Sequence, residues 1–374
     1  MARGFFYLTT LGFYFNMDKY QILLLPRYGR AIILAMKVSE LGEFGLIDLL
    51  AKIAHRSRDK QTPAWQQLII GIGDDAAAWH SNATAQLVTV DSFIQDVHFS
   101  LAVSSWEEVG WKALAINLSD IAAMGGVPRY AVVSLALPET TEVEDITVLY
   151  RGMIELAEQT GVVIVGGDTS SAAQLMINIT VLGNVQDEKE NILTRSGARA
   201  GDKIAVTGYL GAASAGWEIL RKKPRIKAKA IATLKEAFLH PFPRIAEGQL
   251  LLKQGIRTAI DISDGLCSDL GHICRASRLG ACIEVDRIPV HPEVRANFSN
   301  KALELALSGG EDYELLFTGR AEVVNRVRGL TPCPITIIGE MTTDKRGLVT
   351  LIDSRGNPFE LSKGGWEHFR KTQN

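Results

Sequence analysis

The sequence predicts a protein of the α/β or α+β class with two domains. Strand-like and helix-like segments alternate through both halves of the 374-residue chain, and a polar, charged stretch at 186–191 separates the halves. A chain of this length commonly forms two domains of about 150 residues or more. We therefore divide it into a leading segment at 1–35, an N-terminal domain at 36–188 and a C-terminal domain at 189–374.

The leading segment differs in composition from the rest. It is apolar and aromatic, Arg27 and Arg30 interrupt it, and no run reaches the roughly 18 apolar residues that a membrane span needs. It also lacks the charged start and small-residue cleavage site of a signal peptide. Met36 opens a polar segment typical of a natural start, so we expect 1–35 to be a disordered arm or a mis-assigned start.

The N-terminal half contains three amphipathic patterns and five short apolar runs. Apolar residues at helical spacing predict helices at 46–53, 107–124 and 142–160, and Gly125 and Gly161 end the last two. The apolar runs predict strands at 67–72, 86–90, 130–137, 162–165 and 175–185.

The C-terminal half repeats this alternation. Predicted strands lie at 203–207, 258–262, 313–317, 335–338 and 349–352. Predicted helices lie at 212–221 and 230–239, and a third follows Gly265 and runs through His272 and Ala276.

The overall charge excludes several classes of protein. The chain has 40 basic and 42 acidic residues, a net charge of −2 and no dense Lys/Arg tract, so a nucleic-acid or membrane-surface partner is not expected. The four cysteines form no CxxC pair, which favours reduced thiols in a cytoplasmic protein over a zinc site or disulfides. The chain contains no P-loop, no dinucleotide-binding GxGxxG and no protein-kinase signature.

Aspartates stand directly after, or at the ends of, several predicted strands. In α/β proteins ligands bind beyond the carboxyl ends of strands, so these side chains are candidates for one shared cleft. Carboxylates that converge repel one another unless cations lie between them, and Mg²⁺ prefers such hard oxygen ligands and assists phosphoryl transfer. The residues are Asp74, Asp75, Asp91, Asp168, Asp261 and Asp264.

Each of these residues also has a simpler interpretation. A single strand-end Asp more often caps a helix or turn than it binds a metal, although neighbouring glycines favour close approach to a phosphate. Asp120 shares a helix face with Asn117 and either enters the cleft or is a buried, hydrogen-bonded polar residue. His98 and Trp366 are each either structural or part of a ligand site.

Six segments, in order along the chain, resemble the thiamine-monophosphate kinase family, a branch of the superfamily that includes aminoimidazole ribonucleotide synthetase. The resemblance covers about residues 36–369 and does not extend to 1–35. The segments are GIGDDAA at 71–77, WKALAINLSDIAAMG at 111–125, GGDT at 166–169, LTRSGA at 193–198, DISDGL at 261–266 and LSGGEDYEL at 307–315.

The resemblance implies an aminoimidazole ribonucleotide synthetase-like fold in which each half is a sheet covered by helices, and homodimers that pair through the N-terminal sheets. It implies that ATP contacts Gly167, Asp168, Arg195 and Ser263, and that thiamine phosphate contacts His98, Glu311 and Trp366. Relatives often carry Thr at the position of Val90, where the backbone carbonyl of the valine can still bind a metal. The implied Mg²⁺ ligands are Asp74, Thr89, Val90, Asp91, Asp120, Asp168, Asp261 and Asp264.

The implied reaction transfers a phosphoryl group from ATP to thiamine monophosphate, with several Mg²⁺ ions and in-line geometry. The acceptor phosphate is already mostly dianionic at neutral pH, so no catalytic base is expected. Alternatives are aminoimidazole ribonucleotide synthetase, selenophosphate synthetase, a hydrogenase maturation factor and a non-catalytic nucleotide-binding protein. The absence of cysteine before Cys267 and the Gln373-Asn374 ending disfavour the selenium enzyme and the maturation factor.

Overall fold

The structure, a computed structural model, describes most of the chain between residues 85 and 359 and short segments before it. Of the predicted site residues, Asp74, Asp75 and Trp366 lie outside the described residues, as does the predicted linker at 186–191. The described residues are 14–17, 20–24, 31–32, 37–38, 41, 45–46, 49–50, 52–53, 62–70, 78–79, 85–185, 192–224, 226–344 and 347–359.

Short elements precede the two main sheets. Strands β1 (Tyr14–Met17), β2 (Tyr20–Leu24) and β3 (Ala31–Ile32) form an antiparallel sheet. Helix α1 (Pro63–Gln67) leads into β4 (Leu68–Ile70), which pairs with β5 (Ala78–Trp79). Of the predicted helix at 46–53, residues 46, 49, 50, 52 and 53 are described, and all five are helical.

The N-terminal half is built on a four-stranded mixed sheet. Its strands are β6 (Gln86–Ile94), β7 (Val127–Leu137), β8 (Val163–Ser171) and β9 (Met176–Asn184), in the order β6-β9-β7-β8. Strand β9 is antiparallel to both neighbours, whereas β7 and β8 are parallel. A helix connects the parallel pair because such strands need a crossover rather than a tight turn.

Two 18-residue helices cover one face of this sheet, as the sequence predicts. Helix α2 (Trp106–Ala123) begins with a capping box, in which Ser105 Oγ accepts a hydrogen bond from Glu108 N and the Glu108 carboxylate accepts one from Ser105 N. Helix α3 (Val143–Thr160) ends at Gly161, whose φ of 75° is the left-handed conformation that glycine adopts readily.

The backbones of α2 and α3 approach each other closely. A Cβ on Gly110 would lie 1.8 Å from Leu149 O, and one on Gly152 would lie 1.9 Å from Glu107 O, so the contact requires glycine at both positions. Buried Leu114 of α2 packs in the same core as the sheet. Helix α2 is therefore fixed firmly between α3 and the sheet.

The C-terminal half is built on a six-stranded mixed sheet in the order β11-β13-β10-β14-β12-β15. Neighbouring strands are antiparallel except for the parallel pair β12–β15. The strands are β10 (Lys203–Thr207), β11 (Thr258–Asp261), β12 (Gly280–Glu284), β13 (Leu315–Gly319), β14 (Ile335–Thr342) and β15 (Val349–Ile352).

Helices cover this second sheet, and part of it is covered on both faces. Ile204 and Leu316 lie in a core with α4, α7 and α9, whereas Ala205 and Phe317 lie in the core that includes α2, α6 and α10. The two halves of the chain therefore pack against each other. The helices are α4 (Ala212–Lys222), α5 (Ala228–Leu239), α6 (Ile245–Lys253), α7 (Leu266–Ser277), α8 (Pro292–Asn297), α9 (Ala302–Ser308) and α10 (Ala321–Arg328).

One strand begins later than the sequence predicts. Strand β13 begins at Leu315 rather than at residue 313, because Glu311 and Tyr313 have φ values of 59° and 49°, outside the β region. Within the described part of the chain, no helix combines the length and apolar character needed to cross a membrane.

Candidate active site

A cleft of about 700 Å³ lies between the N-terminal and C-terminal halves. The end of β6 and the segment that follows it contribute Asp91 and His98 to its wall. The C-terminal half contributes Ser263, Asp264 and Glu311. The cleft therefore brings together residues that the sequence analysis singled out in widely separated segments.

Three carboxylates form an acidic cluster in this cleft: Asp91 on β6, Asp120 on α2 and Asp261 at the end of β11. Burial, followed by the charge of Asp120, raises the pKa of Asp91 to about 6. The same two causes, in the same order, raise the pKa of Asp261 to about 7. Burial also raises the pKa of Asp120. The three groups are thus close enough to repel one another.

Neutral side chains hold the acidic cluster in place. Thr89 Oγ1 donates a hydrogen bond of 2.6 Å to Asp120 Oδ2, and Ser119 Oγ donates one of 2.7 Å to Asp261 Oδ2. The charge of Arg195 lowers the pKa values of Asp120 and Asp261 but ranks below burial in its effect. Hydroxyl groups therefore orient the carboxylates, and among the described residues no cation is bonded to them.

The backbone beside the acidic cluster is fixed by Asn117. Its Oδ1 accepts a hydrogen bond of 3.0 Å from Asp91 N, and its Nδ2 donates one of 3.0 Å to Ala113 O. Asn117 is fully buried, so these bonds satisfy a polar group that would otherwise be costly. Helix α2 and strand β6 are joined at the point where their two carboxylates meet.

These residues fit a divalent cation. The cluster offers carboxylate and hydroxyl oxygens, which are the hard ligands that Mg²⁺ prefers. Asp261 is only 4% exposed, and a cation would offset both its burial and the repulsion from its neighbours. Asp264 also lines the cleft and lies three residues after Asp261. Asp91, Asp120, Asp261 and Asp264 are therefore the residues suited to hold metal ions.

The turn that carries Ser263 and Asp264 is shaped by Asp269, which the sequence analysis missed. Asp269 Oδ2 accepts hydrogen bonds from the backbone N–H groups of Ser263, Asp264 and Gly265 at 3.2, 3.2 and 3.1 Å. Burial raises the pKa of Asp269 to about 8. Asp264, Asp269 and His272 each have an atom of the kind that binds metals, and these three atoms lie within 4.8 Å of one another. Of the two Asp269 oxygens, Oδ2 already accepts three hydrogen bonds from the backbone.

A left-handed segment places Glu311 at the cleft. Gly310, Glu311 and Tyr313 have φ values of 70°, 59° and 49°, which cost free energy for the two non-glycine residues. Glu311 N donates a hydrogen bond of 2.8 Å to Ser263 O, and Tyr313 N donates one of 2.9 Å to Ile262 O. The segment is thus tied to the turn that carries Asp264.

His98 also lines the cleft, with one ring nitrogen engaged by the backbone. Its Nδ1 accepts a hydrogen bond of 3.0 Å from Ile94 N, and its ring lies against Phe93 with centroids 6.1 Å apart. Because Nδ1 is an acceptor, the neutral imidazole carries its proton on Nε2. His98 is thereby held as a hydrogen-bond donor.

Two predicted residues lie away from this cleft in a single chain. Gly167 and Asp168 are exposed on β8, and two strands separate β8 from β6. Across the sheet, Ser92 is opposite Asn178, which is opposite Ser134, which is opposite Asp168. At roughly 4.8 Å per strand, β8 lies about 14 Å from β6.

Three further predicted residues, Thr89, Val90 and Arg195, differ in the direction and exposure of their side chains. Val90 points to the open face of the sheet and is 60% exposed, whereas Thr89 points inward to Asp120. Arg195 is exposed and acts on the acidic cluster through its charge. Trp217 and Phe238 also line the cleft, and no local pattern in the sequence marks them as site residues.

The fold and the site together define a class of protein. Two helix-covered sheets with an acidic cleft between them match the AIR synthase related protein family, whose N-terminal domain model matches residues 73–185 and whose C-terminal domain model matches residues 199–352. The chain is therefore an AIR synthase related protein.

Similarity to individual relatives places the chain in one family within this class. The thiamine-monophosphate kinase of Bacillus subtilis (strain 168) is 37% identical over 313 residues, which cover 80% of this chain and 94% of that protein. The crystal structure of thiamine-monophosphate kinase from Stenotrophomonas maltophilia K279a matches with a TM-score of 0.71 and 33% identity, over 84% of this chain and 98% of that chain. AaThiL complexed with AMPPCP and TMP matches with a TM-score of 0.69 and 32% identity, over 89% of this chain and 99% of that chain. The chain belongs to the thiamine-monophosphate kinase family.

Proposed function

We propose that this protein transfers the γ-phosphoryl group of ATP to thiamine monophosphate, giving thiamine diphosphate and ADP. The observation that carries the proposal is the acidic cluster of Asp91, Asp120 and Asp261 in the cleft between the halves. Family membership supports it, since a relative of similar fold is complexed with AMPPCP and TMP.

The residues of the chain divide into three groups by proposed role. Gly167, Asp168, Arg195 and Ser263 contact ATP, and His98, Glu311 and Trp366 contact thiamine monophosphate. Mg²⁺ ions held by the acidic residues would neutralise charge on the transferring phosphoryl group. Their ligands are Asp74, Thr89, Val90, Asp91, Asp120, Asp168, Asp261 and Asp264.

The described residues prepare the site before substrates arrive. Thr89 and Ser119 orient two carboxylates, and Asn117 fixes the backbone of Asp91, so little reorganisation is needed on binding. Arg195 adds a fixed positive charge, which favours the approach of anionic phosphates. The cleft thereby holds two reactants in the in-line arrangement that phosphoryl transfer requires.

No side chain is assigned as a general base. The attacking group is a phosphate oxygen whose second pKa is near 6, so it is already deprotonated at neutral pH. The difficulty of the reaction is the meeting of two anions, which positive charge relieves. We accordingly assign the catalytic effect to charge neutralisation and positioning.

We also propose that the protein is a homodimer that pairs through the open faces of the four-stranded sheets. Val88 and Val90 on that face are 69% and 60% exposed, and a second copy is the occupant that would bury both. Within one chain Asp168 does not reach the acidic cluster. A second copy would supply Gly167 and Asp168 to the cleft of its partner.

Mixing two inactive variants tests this shared site. Asp168→Asn and Asp261→Asn chains, unfolded and refolded together, form heterodimers in which one cleft has both aspartates. At random pairing, activity should return to about a quarter of the wild-type value. If the two aspartates act within one chain, or if the protein is a monomer, mixing restores no activity.

The activity itself is tested by incubating the protein with ATP, Mg²⁺ and thiamine monophosphate and identifying products by mass. We expect thiamine diphosphate and ADP in equal amounts, and none when Mg²⁺ is removed by a chelator. Thiamine in place of thiamine monophosphate serves as the acceptor control. Hydrolysis of ATP without thiamine diphosphate would contradict the proposal.

A further inference from the structure

A buried lysine faces the carboxylate of Glu311 from the opposite half of the molecule. Lys112 lies on α2, and its side chain is 4% exposed. Its Nζ lies 3.1 Å from Glu311 Oε2, whereas the Glu311 side chain is 32% exposed and lines the cleft. The ion pair therefore spans the two halves, with its acidic end at the substrate cleft and its basic end behind it.

The ammonium of Lys112 also rests on an aromatic ring. Its Nζ lies 3.5 Å from the centroid of the Phe238 ring on α5. Phe238 in turn stacks on Trp217 with centroids 5.4 Å apart. Among the described residues, no acceptor other than Glu311 meets this ammonium. The charge of Lys112 is thus held between one ring face and one carboxylate.

An isolated buried ammonium is unfavourable, so Lys112 needs a fixed negative partner. Burial lowers the pKa of Lys112, and the charge of Glu311 acts in the opposite direction. The partner is fixed because Glu311 occupies the left-handed segment tied to Ser263 and Ile262. Neither group of the pair is free to move away from the other without cost.

A buried ion pair that serves only the fold commonly has both carboxylate oxygens bonded, because an unsatisfied buried acceptor is costly. The nearby pair of Arg244 and Glu314 has this form, with both Glu314 oxygens bonded and its side chain 7% exposed. In Glu311, only Oε2 meets a cation in the described part of the chain, and a third of the side chain faces the cleft. One carboxylate oxygen is therefore presented to a ligand.

We propose that Lys112 is a positioning residue for the phosphoryl acceptor: it fixes Glu311 so that the second carboxylate oxygen meets a cationic or N–H-bearing part of the acceptor. The inference rests on the proposed function, in which Glu311 contacts thiamine monophosphate. Lys112 does not touch the acceptor, because it lies behind Glu311 and Phe238 and does not line the cleft.

The test is Lys112→Met, which keeps the length and apolar stem of the side chain and removes the charge. We expect the KM for thiamine monophosphate to rise tenfold or more, with kcat and the KM for ATP changing less than threefold. Lys112→Arg, which keeps the charge, should rescue part of the loss. Lys222→Met is the matched control, because it breaks an exposed pair with Glu218 and should leave all three constants unchanged.

A double-mutant cycle separates positioning from general stabilisation. In a Glu311→Gln background, Lys112→Met should raise the acceptor KM by less than a further twofold, because its effect passes through Glu311. Full additivity of the two changes would overturn the proposal. So would an equal rise in the KM values for ATP and acceptor, which indicates a general disturbance of the fold.

The outcomes also distinguish this inference from the proposed function. A wild-type protein that makes no thiamine diphosphate would refute the function. A wild-type protein that does, with an unchanged acceptor KM in Lys112→Met, would refute the positioning role alone. Thermal unfolding and calorimetric ATP binding check that each variant is folded. If Lys112→Met does not fold, Lys112→Gln replaces it, and an unchanged acceptor KM there is equally decisive.

Discussion

Two groups of buried carboxylates in this molecule differ in the groups that hydrogen-bond to them. Glu314 accepts two hydrogen bonds from Arg244, at 2.7 and 2.6 Å, and a third from Thr207 Oγ1 at 2.6 Å. Asp312 accepts hydrogen bonds from the backbone N–H groups of Gly211 and Ala213 at the start of α4. We call Glu314 and Arg244 the structural pair.

The acidic cluster of Asp91, Asp120 and Asp261 is oriented by hydroxyl groups and has no guanidinium or ammonium bonded to it in the described residues. A buried carboxylate that is bonded to a cation or to backbone N–H groups of the protein maintains the fold, whereas one bonded to neither is suited to an external cation. The difference between the two groups therefore separates residues that maintain the fold from residues suited to bind a ligand in the cleft.

The largest effect is expected from the acidic cluster. Asp91→Asn, Asp120→Asn and Asp261→Asn should each lower kcat by a hundredfold or more at saturating Mg²⁺, because each removes a proposed metal ligand. Asp261→Asn should also unfold at a higher temperature than wild type without metal, because it removes a repelled, buried charge. Activity assays and thermal unfolding with a chelator measure both effects.

The control for this experiment is Asp202→Asn. Asp202 accepts a hydrogen bond from Arg199 N in an exposed turn away from the cleft, and its replacement should leave kcat unchanged. Near-normal turnover in all three cluster variants would show that the cleft carboxylates do not share a metal role.

A smaller effect, on stability rather than turnover, is expected from the structural pair. Glu314→Gln should lower the free energy of unfolding by about 2 kcal/mol, because Arg244 then lacks its charged partner. Denaturant unfolding measures this. Glu340→Gln is the matched control, since it breaks an exposed pair with Lys203 and should cost less than about 0.5 kcal/mol. If Glu314→Gln and Glu340→Gln lowered the free energy of unfolding equally, the structural pair would contribute no more to stability than an exposed ion pair.

Glycine at position 208 permits the structural pair to form. A Cβ there would lie 2.0 Å from Glu314 Oε1, and Gly208 has a φ of 58°. Gly208→Ala should therefore cost about 1–2 kcal/mol of unfolding free energy. Gly161→Ala shares the left-handed backbone but has nothing within 4 Å of the added Cβ, so it should cost less. A larger loss of stability in Gly161→Ala than in Gly208→Ala would mean that Glu314 can move away from the added Cβ at no cost in free energy.

A further effect on stability is a pH dependence at Asp312. Burial raises its pKa to about 8, so the folded protein holds this proton where the unfolded chain, with a pKa near 3.8, has released it. Its contribution to stability is complete below about pH 4 and is lost as the pH rises through 8. The unfolding free energy of wild type relative to Asp312→Asn should fall across this window in denaturant titrations. A constant difference from pH 5 to 9 would contradict it.

Much of the site is predictable because strand-end aspartates are visible as local patterns. The pattern located Asp91, Asp261 and Asp264, and the cleft brings them together. Helical spacing placed Asn117 and Asp120 on one face of α2, and both contact β6. The interpretation of Asp120 as a cleft residue agrees with its position, because Thr89 orients it toward its neighbours.

Other features depend on contacts between distant segments. The order β6-β9-β7-β8 places Asp168 on the far side of the sheet from Asp91, and strand order cannot be read from apolar runs. The strand predicted at 313–317 starts late because Tyr313 is left-handed, a conformation set by its bond to Ile262. Neither Ser119 nor Lys112 gave a functional signal, since their partners lie more than a hundred residues away.

Helix α2 carries Lys112, Asn117, Ser119 and Asp120 within a little more than two turns. Lys112 meets Glu311, Ser119 meets Asp261, and Asn117 and Asp120 both meet strand β6. Adding or deleting one residue in an α-helix rotates everything beyond that point by about 100°. Such a change near Lys112 would misdirect all the later side chains at once. Between these four residues, a single substitution should therefore be tolerated more readily than a change in length.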